Sequence, residues 1–223
     1  MRPAVRHPSV SGSVAGNEAS TPDEASILAA LLAPAGRFVE PGCLPPPRLP
    51  ERAELALALQ TGTAWRIGIA AVLRDALRRR LHLAEAPAED IHIALHEAVV
   101  NAVVHGNLGI SSAGRGSLEG LGAFLELVER RLQIPRLAAR AVTVLVVRDA
   151  PDRIGVEVSD CGEGFVPAGP APAVPATRPH GRGLLLIRML SEHCEWRQET
   201  RTLAMRFRLS PSDDDSRCDP ARP

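Results

Sequence analysis

The sequence lacks any apolar segment long enough to cross a membrane, since no run approaches the roughly 20 residues that a spanning helix needs. Its amino-terminal stretch, MRPAVRHPSVSGSVAG, also lacks the apolar core of a secretory signal peptide. Both absences argue against an integral membrane protein and against a secreted one. We therefore expect a soluble protein with no membrane partner.

An excess of one charge is also missing, because 26 lysines and arginines are balanced by 26 aspartates and glutamates. Proteins that bind nucleic acid directly carry a basic footprint, so we expect no direct nucleic-acid partner. The cysteines are few and scattered, without the close pairing of a metal site. A chain of 223 residues needs no disulfides to stabilise its core, so a reducing cytoplasm fits this cysteine content best.

Several common nucleotide and metal motifs are absent as well. The sequence contains no Walker A pattern, no set of protein-kinase motifs and no G-x-G-x-x-G. The zinc-protease pattern H-E-x-x-H begins at His96 and Glu97 but fails at Val100. His92 and His96 are correctly spaced for a shared metal but would need a third converging ligand. The common nucleotide folds and a zinc protease are therefore left without support.

The chain divides into three parts by composition. Residues 1–50 are rich in Ser, Gly and Pro and predict a largely disordered segment with one short helix over 23–33. That helix would dock either on its own domain, which is the simpler interpretation, or on a partner. Residues 51–210 predict one folded domain, and the acidic stretch 211–223 predicts a disordered tail.

Apolar periodicity predicts alternating helices and strands within the folded domain. The runs at 142–147 and 153–160, joined by a short turn, are typical of an antiparallel hairpin. A loop-like segment over 111–120 precedes an amphipathic helix that ends before Pro135. The remaining predicted elements are a strand over 53–59, helices over 64–81, from 86 to the turn at 105–109, over 121–133 and over 184–190, and strands over 194–198 and 202–209.

The helix IHIALHEAVVNAVVHGN is apolar on nearly every side, which predicts that it is buried. Its polar exceptions Glu97, Asn101 and His105 recur every four residues, so they drift by only about 40° per step and share one face. A buried ionised Glu is unfavourable unless it is paired, binds a metal or faces a wet cavity. The stripe therefore predicts a pocket on that face, with a set of satisfied core polar groups as the alternative.

Two short glycine-rich segments follow that helix. The segment DCGEGF at 160–165 places a carboxylate after a strand, and its glycines permit a tight turn and close approach by a ligand. The segment HGRGL at 180–184 is a glycine-rich entry into a helix, where free N–H groups can hold phosphate. Each segment alone is a common pattern. Together with the polar stripe, in this order, they predict one pocket for a magnesium nucleotide.

In these three segments the chain resembles the Bergerat-fold (GHKL) ATPases. HEAVVNAVVHGN, within 91–107, resembles their N box, DCGEGF at 160–165 their G1 box, and GRGLLLIRML, which contains 181–188, their G2 box. The resemblance covers roughly 51–209 and is closest to the bacterial anti-sigma-factor serine/threonine kinases. It implies an α/β (α+β) two-layer sandwich, in which helices cover one face of a mixed, mostly antiparallel sheet.

The same resemblance implies ATP and Mg²⁺ as cofactors and assigns roles to site residues. Glu97 would be the general base, Asn101 would be the Mg²⁺ ligand, and Asp160 would accept a hydrogen bond from the adenine amino group. Residues 166–180 would form the ATP lid. The other ATP-binding positions that it implies are His105, Gly162, Gly164, Phe165, Gly181, Arg182, Gly183 and Leu184.

By this resemblance, the leading function is a cytoplasmic anti-sigma factor that phosphorylates a small antagonist protein. The expected partners are a sigma factor, that antagonist and a second copy in a homodimer. The chain departs from the compact kinases in its Pro/Ala-rich lid and in a longer insertion over 108–141, whose helix is either extra packing or a partner surface. Two alternatives stay open: a non-catalytic module that uses ATP to set its conformation, and an ATPase domain that serves a phosphorelay. For the latter we find no separate dimerisation helix with a phosphorylatable histidine.

Overall fold

The computed structural model describes residues 21–111, 118–162 and 182–209. Within these ranges, no helix is both long enough and apolar enough to span a membrane. The predicted ATP lid at 166–180 and the predicted tail at 211–223 lie outside the described residues.

The described part of the chain alternates helices with the strands of one sheet. The helices are α1 (Glu24–Leu32), α2 (Thr61–Arg66), α3 (Ile69–Leu81), α4 (Glu85–Asn101), the π-helix π1 (Ala102–Asn107), α5 (Leu118–Leu132), α6 (Pro135–Ala138) and α7 (Arg182–Leu190). The strands are β1 (Arg37–Val39), β2 (Leu55–Gln60), β3 (Ala141–Ala150), β4 (Arg153–Ser159), β5 (His193–Arg197) and β6 (Thr202–Arg208).

The sheet has six strands in the order β1-β2-β3-β4-β6-β5. β1 pairs with β2 in parallel, and every other neighbouring pair is antiparallel. β3 and β4 form the predicted hairpin, in which Val144 pairs with Val158 and Val146 with Val156. The prediction of an α/β fold with a mixed, mostly antiparallel sheet is therefore confirmed.

The two faces of the sheet differ in chemistry. Along β4, Ile154, Val156 and Val158 are buried and share one hydrophobic core with the helices. Side chains alternate along a strand, so the residues between them point to the opposite face, where Glu157 forms an ion pair with Arg197. The helices therefore cover one face of the sheet. The largest side chains that α3, α4 and α7 contribute to this core are Leu73, Leu77, Ile91, Leu95 and Ile187.

Residues 21–50 are part of the folded domain, which differs from the prediction of a largely disordered segment. Asp23 caps α1 by accepting a hydrogen bond from the Ser26 amide at 2.7 Å. Ile27 and Leu31 of α1 are fully buried in the common core, and β1 adds an edge strand to the sheet. Helix α1 thus docks on its own domain.

Long-range side-chain hydrogen bonds hold this amino-terminal segment in place. Arg80, at the end of α3, donates to the carbonyl groups of Leu31 at 3.1 Å and Ala33 at 2.7 Å. The buried carboxylate of Glu40 accepts from the Thr63 hydroxyl at 2.7 Å. Each bond joins residues that are far apart in the sequence. Local composition therefore could not reveal that the segment is ordered.

The predicted single helix over 64–81 is two helices, α2 and α3. Ile67 leaves the helical conformation with φ −107° and ψ 151°, and the next amide, Gly68, donates to Glu24 Oε1 at 2.7 Å. The apolar periodicity continues through this break, and a carboxylate from α1 satisfies the amide that the break exposes. His82 ends α3 in the left-handed conformation, with φ 52°.

Candidate functional site

Helix α4 carries the polar stripe on an otherwise buried surface. Leu95, Ala98 and Val99 pack into the core, whereas Glu97 and Asn101 are only half-buried. Because the apolar residues orient the helix, these two polar side chains face away from the sheet and toward the start of α7. The structure therefore gives them a common direction, set by the packing of the helix that carries them.

Gly183, in the first turn of α7, lies directly on this polar stripe. A Cβ atom at position 183 would lie 2.5 Å from Glu97 Oε2 and 3.6 Å from Asn101 Nδ2. The first distance is shorter than a normal non-bonded contact, so a side chain at position 183 would displace the Glu97 carboxylate from this arrangement. The fully buried Ile187 anchors α7 to the core. The amide groups at the start of α7, which have no partner within the helix, are thus held beside the stripe.

The stripe ends at Asn101, because the chain then enters π1. In this wider turn the Leu108 amide donates to the Val103 carbonyl at 2.9 Å, one residue further back than in an α-helix. His105 Nδ1 lies 2.5 Å from the carbonyl oxygen of Ile110. Since a carbonyl only accepts, Nδ1 carries a proton and His105 is bonded to the following loop. The four-residue spacing predicted from the sequence assumes an unbroken α-helix, which the structure does not have.

At the other end of π1, the chain meets the turn that follows β4. Asp160 is buried, and its Oδ1 accepts a hydrogen bond from the Gly162 amide at 2.8 Å. A Cβ atom at Gly106 would overlap the Asp160 carboxylate, and one at Gly162 would overlap the Gly106 carbonyl. Two glycines on different elements therefore allow the carboxylate and the helix end to lie in contact.

Burial raises the pKa of the Asp160 carboxyl above its ordinary value. The hydrogen bond from Gly162 and the positive charges of Arg201 and Arg140 act in the opposite direction, but burial has the larger effect. Burial also raises the pKa of the neighbouring Cys161 thiol, so this cysteine is not an activated nucleophile. A carboxylate in such a buried position is a strong hydrogen-bond acceptor.

Two residues that the sequence did not single out hold this turn. Asn107, the last residue of π1, accepts the Cys161 amide hydrogen through Oδ1 at 2.7 Å. Arg201, in the turn between β5 and β6, donates from Nη1 to the carbonyl of Gly162. Asn107 is the last residue of the N-box segment, and this position in the motif is the feature of the sequence that could have indicated its role. Arg201 lies 39 residues from Gly162 and follows no pattern in the sequence.

These contacts define one cleft along α4 and π1. Glu97 lies against the start of α7 at one end, and Gly106 lies against Asp160 at the other. The last turn of α4 and most of π1 lie between these two contacts.

The remaining predicted positions are less fully described. Gly164, Phe165 and Gly181 lie outside the described residues, as does the predicted lid. Arg182 is the first residue of α7, and Leu184 packs, half-buried, against the core. The described site residues therefore come from the N-box helix, the beginning of the G1 turn and the beginning of the G2 helix.

The residues at this cleft fit a magnesium nucleotide. In the described ranges, no group of three or more His, Cys, Asp or Glu side chains is placed to hold a metal ion. Mg²⁺ needs no such group, because it prefers oxygen ligands, keeps several waters and binds through phosphates. The side-chain oxygen of Asn101 would supply a protein ligand, and the absence of a side chain at Gly183 lets the start of α7 lie close to it.

A comparison with protein families identifies the family of the domain. The family model described as the histidine kinase-like ATPase domain matches residues 64–207, which include α4, the turn after β4 and α7. No curated protein sequence gives a significant match to the chain. The family match places the domain in the GHKL superfamily and makes it an ATP-binding, ATPase-like regulatory module. Because the match extends over more than half of the 223 residues, the chain belongs to the histidine kinase-like ATPase family.

Proposed function

We propose that this protein is an Mg-ATP-dependent serine/threonine protein kinase that acts as an anti-sigma factor and phosphorylates an antagonist protein. The observation that carries the proposal is the meeting of Glu97 and Asn101 at Gly183, where the first turn of α7 begins. A carboxylate, an amide and free backbone N–H groups are the groups that phosphoryl transfer needs for positioning and electrostatic stabilisation.

Each of these groups has a distinct task in the proposed reaction. Asn101 would hold the cation through its side-chain oxygen, and the amide groups at the start of α7 would bind phosphate oxygens. When bound, Mg²⁺ would supply positive charge to offset the charge that develops on the transferred phosphoryl group. Glu97 orients the hydroxyl of a substrate serine or threonine and accepts its proton at a carboxylate oxygen. The proximity of Glu97 to Gly183 supports this role, because the start of α7 is where we propose that the phosphates bind.

Asp160 supplies base recognition at the far end of the cleft. Its buried carboxylate accepts a hydrogen bond from the exocyclic amino group of adenine, which guanine and hypoxanthine replace with a carbonyl oxygen. A carbonyl oxygen and this carboxylate are both hydrogen-bond acceptors, so they would face each other without a hydrogen bond, which is unfavourable in a buried position. The site therefore favours ATP over GTP and ITP.

The partner proposal is supported by apolar side chains close to the phosphate end. On α7, Leu185 is 57% exposed and Met189 is 72% exposed, although Gly183 and Ile187 of the same helix face the cleft and the core. Large exposed apolar side chains on one helix favour a protein-binding role for that helix. A sigma factor, an antagonist or a second copy of this chain would cover them.

The test is transfer of labelled phosphate from γ-labelled ATP to proteins captured by the full chain from its native cytosol in the presence of Mg-ATP. Label on serine or threonine of a captured protein, absent with Glu97→Gln, supports the kinase. Label on histidine, recognised by its loss in acid, points to a phosphorelay. Capture that depends on ATP, but without label on any protein, points to a non-catalytic module and contradicts the kinase proposal.

A further inference from the structure

Asn107 has an unusual position for a polar residue, because its side chain is fully buried. Its Oδ1 accepts from the Cys161 amide at 2.7 Å, and its Nδ2 donates to Thr61 Oγ1 at 2.8 Å and to the Ala141 carbonyl at 3.0 Å. Its own carbonyl accepts from Arg140 Nη1 at 2.6 Å. The side chain thus ties π1 to the starts of α2 and β3 and to the turn after β4.

These partners determine the chemistry that position 107 requires. The Cys161 amide needs an acceptor, whereas the Ala141 carbonyl needs a donor. A single side-chain amide supplies both the acceptor and the donor, and the length of the Asn side chain lets it reach both partners. Because the group is buried, loss of either bond leaves a polar atom without water to replace the partner. The orientation of the amide is therefore set by its neighbours.

The turn that Asn107 holds is the one that carries the proposed adenine acceptor. Cys161 lies between Asp160 and Gly162, and its amide bond to Asn107 restrains the turn from the helix side. Arg201 restrains it from the other side by donating to the Gly162 carbonyl. Without the bond from Asn107, the attraction of Arg201 and Arg140 would draw the Asp160 carboxylate toward a guanidinium, since the charges of both act on it.

We propose that Asn107 is a positioning residue. It keeps the Asp160 carboxylate where that group meets the adenine ring of the nucleotide, and it thereby sets the preference for adenine. The inference rests on the proposed adenine role of Asp160 and extends it to a residue that does not touch the nucleotide. A purely structural Asn107 would affect stability alone. A positioning Asn107 affects the ratio of ATP to ITP affinity, because the two nucleotides differ at the group that meets Asp160.

The experiment measures dissociation constants of ATP and ITP by calorimetry on the full chain, well below the melting temperature of each variant. In the parent, ATP should bind about 10- to 100-fold more tightly than ITP, the range for one hydrogen bond to a charged group. Asp160→Asn should bring the ratio close to one. Asn107→Ala should lower it to within about threefold of the Asp160→Asn value.

A matched control separates positioning from loss of stability. Arg80→Met removes side-chain bonds to the carbonyls of Leu31 and Ala33, remote from the cleft, and should lower the melting temperature while keeping the ATP/ITP ratio of the parent. If Asn107→Ala does not fold, Asn107→Ser is measured instead. Its hydroxyl is too short to reach the Cys161 amide, so the bond that restrains the turn is lost in this variant as well and its ratio decides by the same criterion.

The results divide cleanly between the two proposals. If Asp160→Asn keeps the ratio of the parent, the proposed adenine role is wrong, and the inference about Asn107 is wrong with it. If Asp160→Asn abolishes the preference but Asn107→Ala, or Asn107→Ser in its place, keeps it, only the positioning role is overturned. The inference is supported if the ratio of ATP to ITP affinity falls close to one in both the Asp160→Asn and the Asn107 variants but stays at the value of the parent in Arg80→Met.

Discussion

At the scale of single residues, Asp160 shows how a binding group can oppose folding. Its carboxyl is buried after β4, and burial raises its pKa despite two nearby arginines. A raised carboxyl pKa means that the folded protein binds the proton more tightly than the unfolded chain does. The charged form, which the proposed recognition of adenine needs, is therefore the form that is less favourable in the domain without nucleotide.

Asp160→Asn should consequently separate stability from binding. The stabilising contribution of the parent Asp160 is fully present below its unfolded pKa, near the ordinary value of 3.8, and is lost as the pH rises through the higher folded pKa. Asn carries no titrating proton, so the variant does not lose stability in this way as the pH rises. Without nucleotide, its melting temperature relative to the parent should rise as the pH increases above the ordinary carboxyl value of 3.8, while its ATP affinity falls by about 1.5–3 kcal/mol. Circular-dichroism melts and calorimetry measure the two effects, and a relative stability that falls over this pH range would contradict the assignment.

Glu97→Gln should keep nucleotide affinity and lose transfer. Gln has nearly the same shape, so its contact with Gly183 is retained, but a neutral amide does not accept the hydroxyl proton. Single-turnover phosphoryl transfer should fall by roughly 10² to 10⁴-fold, with the ATP dissociation constant changed little. Full transfer activity in this variant would eliminate Glu97 as the base and leave an ATP-sensing binding module as the better interpretation.

Asn101→Ala provides the comparison for Glu97→Gln. It removes the proposed Mg²⁺ ligand one helical turn from Glu97, so its defect should include lost Mg²⁺-dependent ATP affinity that higher Mg²⁺ partly restores. Measurements at two Mg²⁺ concentrations test this division of defects. If both variants only lower the melting temperature and behave alike toward Mg²⁺, the two side chains are structural.

At the scale of elements, α4 and π1 form one platform with two ends of different geometry. The α-helical part presents Glu97 and Asn101 to α7, and the π-helical part brings Gly106 and Asn107 against the turn after β4. π-helical turns interrupt α-helices frequently at functional sites. The change of helix type is thus what lets one continuous segment contact both ends of the cleft.

Helix α1 acts through burial, and Leu31→Ala tests its contribution. Leu31 is fully buried, so its truncation should lower the free energy of unfolding by about 2–5 kcal/mol through lost burial and an unfilled cavity. Leu125→Ala is the matched control, because Leu125 on α5 is 46% exposed and the same truncation leaves no comparable cavity. Denaturant unfolding of both variants decides the matter. Equal effects would contradict the docking of α1 on the core.

At the scale of the whole molecule, the folded unit begins before the segment that the family match covers. That match starts at residue 64, whereas β1 pairs with β2 along its Arg37–Val39 length and α1 closes over the core. The amino-terminal segment therefore contributes to the folded unit outside the matched range. It covers one edge of the sheet, which would otherwise present unpaired backbone groups.

A chain that starts at Glu51 should be less stable and more prone to associate. It lacks the segment that covers the β2 edge and loses the apolar contacts of Ile27 and Leu31. We expect a lower melting temperature, binding of a hydrophobic dye and larger species in light scattering. A peptide of residues 21–50, added in trans, should restore part of the melting temperature. Unchanged melting and a monodisperse sample would show that residues 21–50 are dispensable for stability.

How much the sequence predicts depends on the range of the interactions involved. The β3–β4 hairpin was predictable, because period-two alternation and a short turn are local properties. The break between α2 and α3 was not, because the Gly68 amide depends on a carboxylate from α1. The order of residues 21–50 was missed for the same reason. Their stabilising partners are distant in the sequence, and their composition by itself favours disorder.

By itself, the sequence determined the family and the α/β class, and it predicted a site that includes Glu97, Asn101, Asp160 and Gly183. The order of the motifs and the apolar periodicity are properties of the linear sequence, so they can be recognised without any tertiary contact. Only the tertiary structure decided that the stripe ends at Asn101, that Gly106 touches Asp160 and that Asn107 holds the Cys161 amide. The physical reason is that the helix type and the buried hydrogen bonds depend on which groups, distant in the sequence, pack together. Local propensity contains no information about those partners.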